Sequence, residues 1–197
     1  SCGQKGAGET TAPITEVKKA STTTAPSFNA DSAYAYVEKQ VSFGYRIPNT
    51  PAHKACGDYL VSELKRFGAQ VYEQEATLKA YDGTPLESRN IIGSFNPDKD
   101  KRILLFAHWD TRPYSDHDPD PANHKKPLDG ADDGASGVGA LLEIARQMGM
   151  KAPEVGVDII FFDAEDYGTP EFAKDRYNDT SDTWCLGSRF WGKNPHK

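Results

Sequence analysis

Cysteine is scarce: three residues, at positions 2, 56 and 185, in a chain of 197. No CxxC pair and no dense spacing occurs, so neither a disulfide scaffold nor a cysteine-rich zinc finger can be built from them. Long apolar runs are missing too, and no stretch approaches the ~20 residues that a membrane-spanning helix needs. Basic residues are outnumbered, 23 Lys and Arg against 29 Asp and Glu, for a net charge of −6. None of them gathers into a stripe, which excludes the electrostatic footprint of a nucleic-acid binder. Apolar residues make up only 37%, and mean hydropathy is −0.67. That shortage is local, because the first ~28 residues supply almost nothing apolar, and the remainder is long enough for one domain with a real core.

Ser1 to Ser27 is a Thr-, Ala-, Ser-, Gly-, Lys- and Pro-rich segment. Such a composition cannot bury enough surface to offset chain entropy, so residues 1–28 are expected to be a disordered tether. Cys2 gives it a second meaning. A small residue, then Cys, then a polar Thr/Ser-rich spacer resembles the start of a mature bacterial lipoprotein. The resemblance implies acylation at Cys2, a spacer holding the globule off the membrane, and a place in the bacterial cell envelope, periplasmic or membrane-anchored.

From residue 29 the pattern is mixed α/β. Asn29 or Asp31 can cap a helix that carries Tyr34, Val37 and Val41 on one face. Thr50-Pro51 opens a second helix with an N-cap hydroxyl and proline at the first helical position. Its stripe is Cys56, Leu60, Leu64 and Phe67, which makes Cys56 a core thiol, and Gly68 closes it. Gln70 to Leu78 and Arg89 to Phe95, joined by a turn over Tyr81 to Pro85, are expected to form a hairpin. Arg102 to Ala107 and Val155 to Phe162 are continuous apolar runs, as in strands buried on both faces of a parallel sheet. A helix from Ser136 to Met150 lies between them, giving a βαβ crossover. A last helix is expected over Thr183 to Trp191.

Three polar clusters follow these runs: His108-Trp109-Asp110, Gly130 to Gly137 with Asp132-Asp133, and Asp163 to Gly168 with Glu165-Asp166. In an open α/β sheet, ligands collect at the carboxyl ends of the strands, so all three are directed to one rim. Carboxylates crowded there repel one another unless a cation compensates, and zinc accepts His and Asp/Glu ligands. Each cluster alone also admits a plainer account: a hydrogen-bonded core histidine, a helix-capping turn, a solvated loop. His53, His117, His124 and His196 are expected to be solvated rather than ligands.

HxD, then G-A-D-D-x-A-S-G, then a strand ending in a Glu–acidic pair resembles the co-catalytic zinc aminopeptidases, with three motifs in order on the right elements. HWDTRPY, FFDAEDYG and WCLGSRFW…NPH narrow this to a resemblance to the zinc-dependent glutaminyl cyclases of the animal-type fold, over about Asn29 to His196. It implies a mixed, mainly parallel twisted sheet flanked by helices, with residues 29–197 as the catalytic domain. It also implies one Zn2+ with Asp133 and Asp166 as ligands and Glu165 as the acid/base. His108 and Asp110 would support the ligands, or bind metal and act in catalysis if the two-metal aminopeptidase pattern holds. Trp109, Tyr167 and Trp184 are candidate walls of a substrate pocket, although ordinary packing explains each equally well. Asp166 departs from the Glu of many relatives and shortens the reach to metal by one methylene.

The implied substrates are peptide or protein N-termini, with no nucleic-acid partner and a membrane only through Cys2. The implied reaction converts N-terminal Gln to pyroglutamate with release of ammonia. Two carboxylates are fewer than the three protein ligands usual for catalytic zinc, and the family domain runs on for over ~100 residues. The chain is therefore expected to be an amino-terminal fragment whose third ligand lies beyond Lys197. A zinc aminopeptidase and an inactive cell-surface binding module are the alternatives.

Overall fold

The computed structural model describes residues 24–178 and 180–197. Cys2 and the expected tether up to position 23 lie outside the described residues. Among those described, no helix is long and apolar enough to cross a membrane.

Among the described residues, four α-helices and four strands follow the order α1 (Ala30–Ser42), α2 (Pro51–Arg66), β1 (Gln70–Lys79), β2 (Pro85–Phe95), β3 (Arg102–His108), α3 (Ala135–Met150), β4 (Gly156–Phe162) and α4 (Leu186–Lys193). The starts of α1 and α2 follow their capping chemistry. Asn29 Oδ1 accepts the Ser32 N–H at 3.0 Å, and Thr50 Oγ1 accepts the His53 N–H at 3.2 Å, each satisfying a donor the helix cannot. The buried face of α1 is only partly the expected one: Val37 and Val41 are half-buried, with Val37 against Gly139 of α3. Tyr34 is 66% exposed, whereas Tyr36 meets Phe67 edge-on at 6.3 Å, and Gln40 is buried, donating to the Ala135 carbonyl at 3.1 Å.

The strands form one mixed sheet in the order β1-β2-β4-β3. The sheet is mixed as expected but not mainly parallel: β1–β2 is the expected hairpin, β2–β4 is also antiparallel, and β3–β4, joined by the α3 crossover, is parallel. β2 starts at Pro85, earlier than Arg89, because it pairs with β1 along its whole length. One face carries Ile91, Phe95, Val157, Ile159 and Phe161, packed with Leu60, Leu64, Val138 and Leu142 of α2 and α3. The other face carries Ile92, Ile160 and Phe162 against Trp191 of α4. Burying a side chain of this kind is worth roughly 1.5–3 kcal/mol, so the α2/α3 face dominates cohesion.

β3 is not buried on both faces. It is the edge strand, and Ile103, Leu104 and Phe106 are 48%, 41% and 64% exposed. The eight-residue α4 packs over β2 and β4, with Trp191 5.8 Å from Phe162, so the face of β3 beside it stays open. The strand buried along its whole length is β4. α4 starts at Leu186 rather than Thr183 because Cys185 takes a left-handed conformation, φ 55°, which cannot continue a helix.

Candidate active site

β3 and β4 end side by side, with His108 in register with Phe162. The Trp109 N–H donates to the Phe162 carbonyl at 3.0 Å as the last rung. Past that point two fully buried carboxylates shape the β4 exit. Asp163 Oδ1 accepts the Ala164 N–H at 2.7 Å. Asp110 accepts the next two, Glu165 N–H on Oδ1 and Asp166 N–H on Oδ2, both at 3.1 Å. Ala164 is left-handed, φ 51°, and the chain reverses there, bringing Glu165 and Asp166 back beside the end of β3.

The loop before α3 reaches the same place because two glycines allow a close approach. Gly130 has φ 61°, and a Cβ there would overlap the Thr111 side chain. Gly134 has φ 97°, and its Cβ would stand 3.1 Å from both the Asp110 carbonyl and His108 Cε1. Asp133 is thereby delivered to His108, whose Nε2 lies 2.9 Å from Asp133 Oδ1 and 3.8 Å from Glu165 Oε2. Nδ1 of the same ring is 3.3 Å from Asp110 Oδ1. The side chains differ in access: Asp133 is 67% exposed, Glu165 33% and Asp166 9%.

Asp133 and Asp166 line a shared cavity of about 420 Å³ with Arg112, Leu128 and Trp184. Arg112 forks onto both oxygens of Asp116 at 2.7 Å, and its Nη1 donates to the Asp166 carbonyl at 3.2 Å. Its guanidinium lies over the Trp184 ring, 4.7 Å from the centroid. Asp116 in turn accepts the Glu171 N–H at 2.9 Å. One cation thus ties the loop after β3 to the loop after β4.

The electrostatics are those of crowded acids. Burial, then Asp110, Glu165 and Asp133, push the Asp166 carboxyl up to about 8 against the pull of Arg112. Burial also raises Glu165, reinforced by Asp110 and Asp133 and opposed by His108. Burial alone would lower the His108 imidazolium, but Asp110, Glu165 and Asp133 outweigh it and push it up to about 10. Four carboxylates around one histidine and one arginine make an anionic pocket that a divalent cation would relieve, and oxygen and imidazole donors suit zinc. Among the described residues, no three His, Cys, Asp or Glu side chains already stand in metal-ligating geometry. The donor set fits a cation by charge, with the carboxylates turned toward His108 and backbone donors.

The three aromatic candidates separate. Trp184 borders the cavity. Trp109 does not: it is buried, with Nε1 donating to the Arg89 carbonyl at 3.0 Å and its ring stacked on His53. Tyr167 packs beside Ala80 and Leu86, with Tyr81 at 6.4 Å. His53 is not solvated but buried, its Nε2 at 2.9 Å from both Asp163 oxygens. His196 is not solvated either, since it accepts from Trp191 Nε1 at 3.0 Å and its side chain is largely covered. His117 is exposed, and His124 is half-buried with Nε2 on the Asp118 carbonyl. Cys56 is a core thiol, its pKa pushed up to about 12 by burial.

Sequence reasoning passed over Arg112 and Cys185. Arg112 had a signal, the four-residue spacing to Asp116 just after the HxD cluster. Cys185 had none, because its contact with Glu165, Sγ donating to Oε1 at 3.4 Å, depends on the turn before α4.

Comparison with known proteins gives a consistent answer. The model of peptidase family M28 matches residues 90–197. Among solved structures, a Zn-dependent exopeptidase from Parabacteroides distasonis is 76% identical with a TM-score of 0.84. The glutaminyl cyclase of Tannerella forsythia is 67% identical with a TM-score of 0.83. That of Bacteroides thetaiotaomicron, bound to N-acetylhistamine, is 60% identical with a TM-score of 0.85. Each alignment covers 87% of this chain and 58% of the other.

Proposed function

This chain belongs to peptidase family M28, and on that footing we propose that it carries the catalytic rim of a zinc-dependent glutaminyl cyclase. The reaction is the conversion of an N-terminal glutamine of a peptide to pyroglutamate with release of ammonia. The observation that supports it is the gathering of Asp133 and Glu165 around His108, with Asp166 on the same cavity as Asp133, at one end of β3 and β4, in a chain so similar to two glutaminyl cyclases.

Asp133 and Asp166 would hold the zinc. When bound, it would polarise the γ-carbonyl of the glutamine and stabilise the charge that develops there. Glu165 is the acid/base. Burial raises its carboxyl above the ordinary Glu value, which favours its holding a proton between the two transfers. It takes a proton from the neutral α-amine as that nitrogen attacks the γ-carbon. The ring C–N bond forms, the bond to the side-chain nitrogen breaks, and the same proton leaves with ammonia. His108 orients Asp133 through Nε2, and Asp110 fixes the backbone of Glu165 and Asp166. Arg112 holds the Asp166 loop and, with Trp184, one wall of the cavity.

An aminopeptidase is the second reading, favoured by the likeness to the Zn-dependent exopeptidase from Parabacteroides distasonis. It would use His108 as a metal ligand. The test is incubation of the intact, zinc-loaded protein with peptides beginning in Gln. Ammonia release with the peptide otherwise whole is expected, and liberation of free amino acids instead would replace this reading with the second. The proposed envelope location rests on Cys2 and its spacer alone and is tested by metabolic labelling with a fatty acid.

A further inference from the structure

We propose that His53 and Asp163 are a positioning pair: the imidazole locks a buried carboxylate that holds the left-handed turn at Ala164, and so aims Glu165 and Asp166. The consequence for turnover rests on the function proposed above; the geometry does not.

Alanine resists a φ of 51° because its Cβ crowds the carbonyl oxygen, and such positions persist only when neighbours over-determine them. Here the carbonyls of Asp163, Ala164 and Glu165 accept the N–H groups of Gly187, Leu186 and Cys185, and the donor side of the turn is held first by Asp163. It is fully buried, and its two oxygens face different strands. Oδ1 accepts the Ala164 N–H and Oδ2 the Arg89 N–H of β2, both at 2.7 Å. His53 Nε2 sits 2.9 Å from both oxygens, which fixes the plane of the carboxylate. The imidazole has no freedom of its own, because it lies flat on Trp109 at 4.2 Å and 14°. Trp109 is pinned by Nε1 to the Arg89 carbonyl. The pair lies between α2, β2 and the end of β4; His53 borders a separate cavity with Thr50 and Arg89, and neither member lines the cavity of Asp133 and Asp166. It therefore acts only through the turn.

The turn leads directly to the reacting groups. Glu165 and Asp166 have their N–H groups on Asp110, so Asp163 and Asp110 share three consecutive backbone donors. Release of the first from Asp163 lets Ala164 relax out of the left-handed region and swings the two side chains that follow. A catalytic group displaced by about 1 Å loses on the order of a hundredfold in rate.

The test uses the intact protein with two substitutions. H53F keeps a ring on Trp109 but has no donor, and H53Q restores an N–H. Amide exchange is measured along the chain, with steady-state cyclisation of a Gln-peptide. For H53F, exchange at Ala164, Glu165 and Asp166 is expected to quicken about tenfold while β2 and β4 stay protected. Its kcat is expected to fall about tenfold or more with KM within about twofold, and H53Q should recover most of the loss. Unchanged exchange in the turn, an equal acceleration through β2 and β4, or an unaltered kcat would each overturn the pairing. If H53F does not fold, D163N, which keeps the shape and withdraws the charge, is read in the same way. A wild-type protein that fails to cyclise Gln-peptides sinks the proposed function, and the exchange experiment still decides the pairing.

Discussion

Replacing Asp110 by Asn removes one charge from the interior and leaves the shape unchanged. The wild-type carboxylate is fully buried and accepts two backbone N–H groups, one on each oxygen. Hydrogen bonds to a charged acceptor are worth about 1.5–3 kcal/mol each, and a buried donor left without a partner costs about 1–3 kcal/mol. An amide keeps one of the two bonds in weaker form and turns its NH2 toward the other N–H, so the gross loss is about 4 kcal/mol. Removing the anion also relieves Glu165 and Asp166, both of which Asp110 pushes upward, and this returns roughly 1 kcal/mol. The net expectation is a destabilisation of about 3 kcal/mol. With a urea dependence of about 2 kcal/mol per molar, the unfolding midpoint falls by about 1.5 M. The assay is urea unfolding followed by the fluorescence of buried Trp109, and wild-type and variant should share one slope. A midpoint displaced by less than ~0.25 M, corresponding to the ~0.5 kcal/mol of an ordinary surface substitution, would refute the assignment of Asp110 as the holder of the turn.

Glu165→Gln is expected to lower kcat by about 10²–10⁴-fold, the span of lost acid–base catalysis, with zinc affinity within a few-fold of wild type by competition with a chromogenic chelator. Asp116 is held at about 2, below its ordinary 3.8: burial raises it, but the Arg112 fork and the Glu171 N–H outweigh burial. Its contribution is therefore complete above pH 3.8 and is lost as pH falls through about 2; the difference amounts to about 2 kcal/mol, so Asp116→Asn should flatten the stability curve between pH 4 and 2 in denaturant titrations. Gly187→Ala places a Cβ over the Asp163 carbonyl oxygen and against Asn90 Oδ1, and calorimetry should show a loss of about 1–3 kcal/mol or more, whereas Gly192→Ala, which meets nothing within 4 Å, should show none of that loss.

Where local chemistry decides the structure, the sequence was readable. The caps of α1 and α2, the left-handed Gly68 after α2, the β1–β2 hairpin and the βαβ order follow from residues adjacent in the chain. Convergence of His108 and the Glu165-Asp166 pair followed from strand ends, and that of Asp133 from its place just before the crossover helix. What failed depended on distant neighbours. The run from Ile103 to Phe106 has the composition of a buried strand, but burial depends on what lies beside it, and β3 has β4 on one side only. Trp109 and His53 lie far apart in sequence and stack in space, so a histidine with no nearby partner proved fully engaged. The late start of α4 turned on the backbone of Cys185, a residue type that gives no warning of a left-handed conformation.

The crossover sets when the pocket can come into being. β1 and β2 can zip by themselves, since only a tight reversal separates them, but His108 and Glu165 belong to neighbouring strands joined through the whole of α3. Closing that long loop must precede any meeting of the acids. A polypeptide ending before β4 holds His108 and Asp133 without Glu165 and Asp166, so the acidic cluster assembles only once β4 has paired with β3.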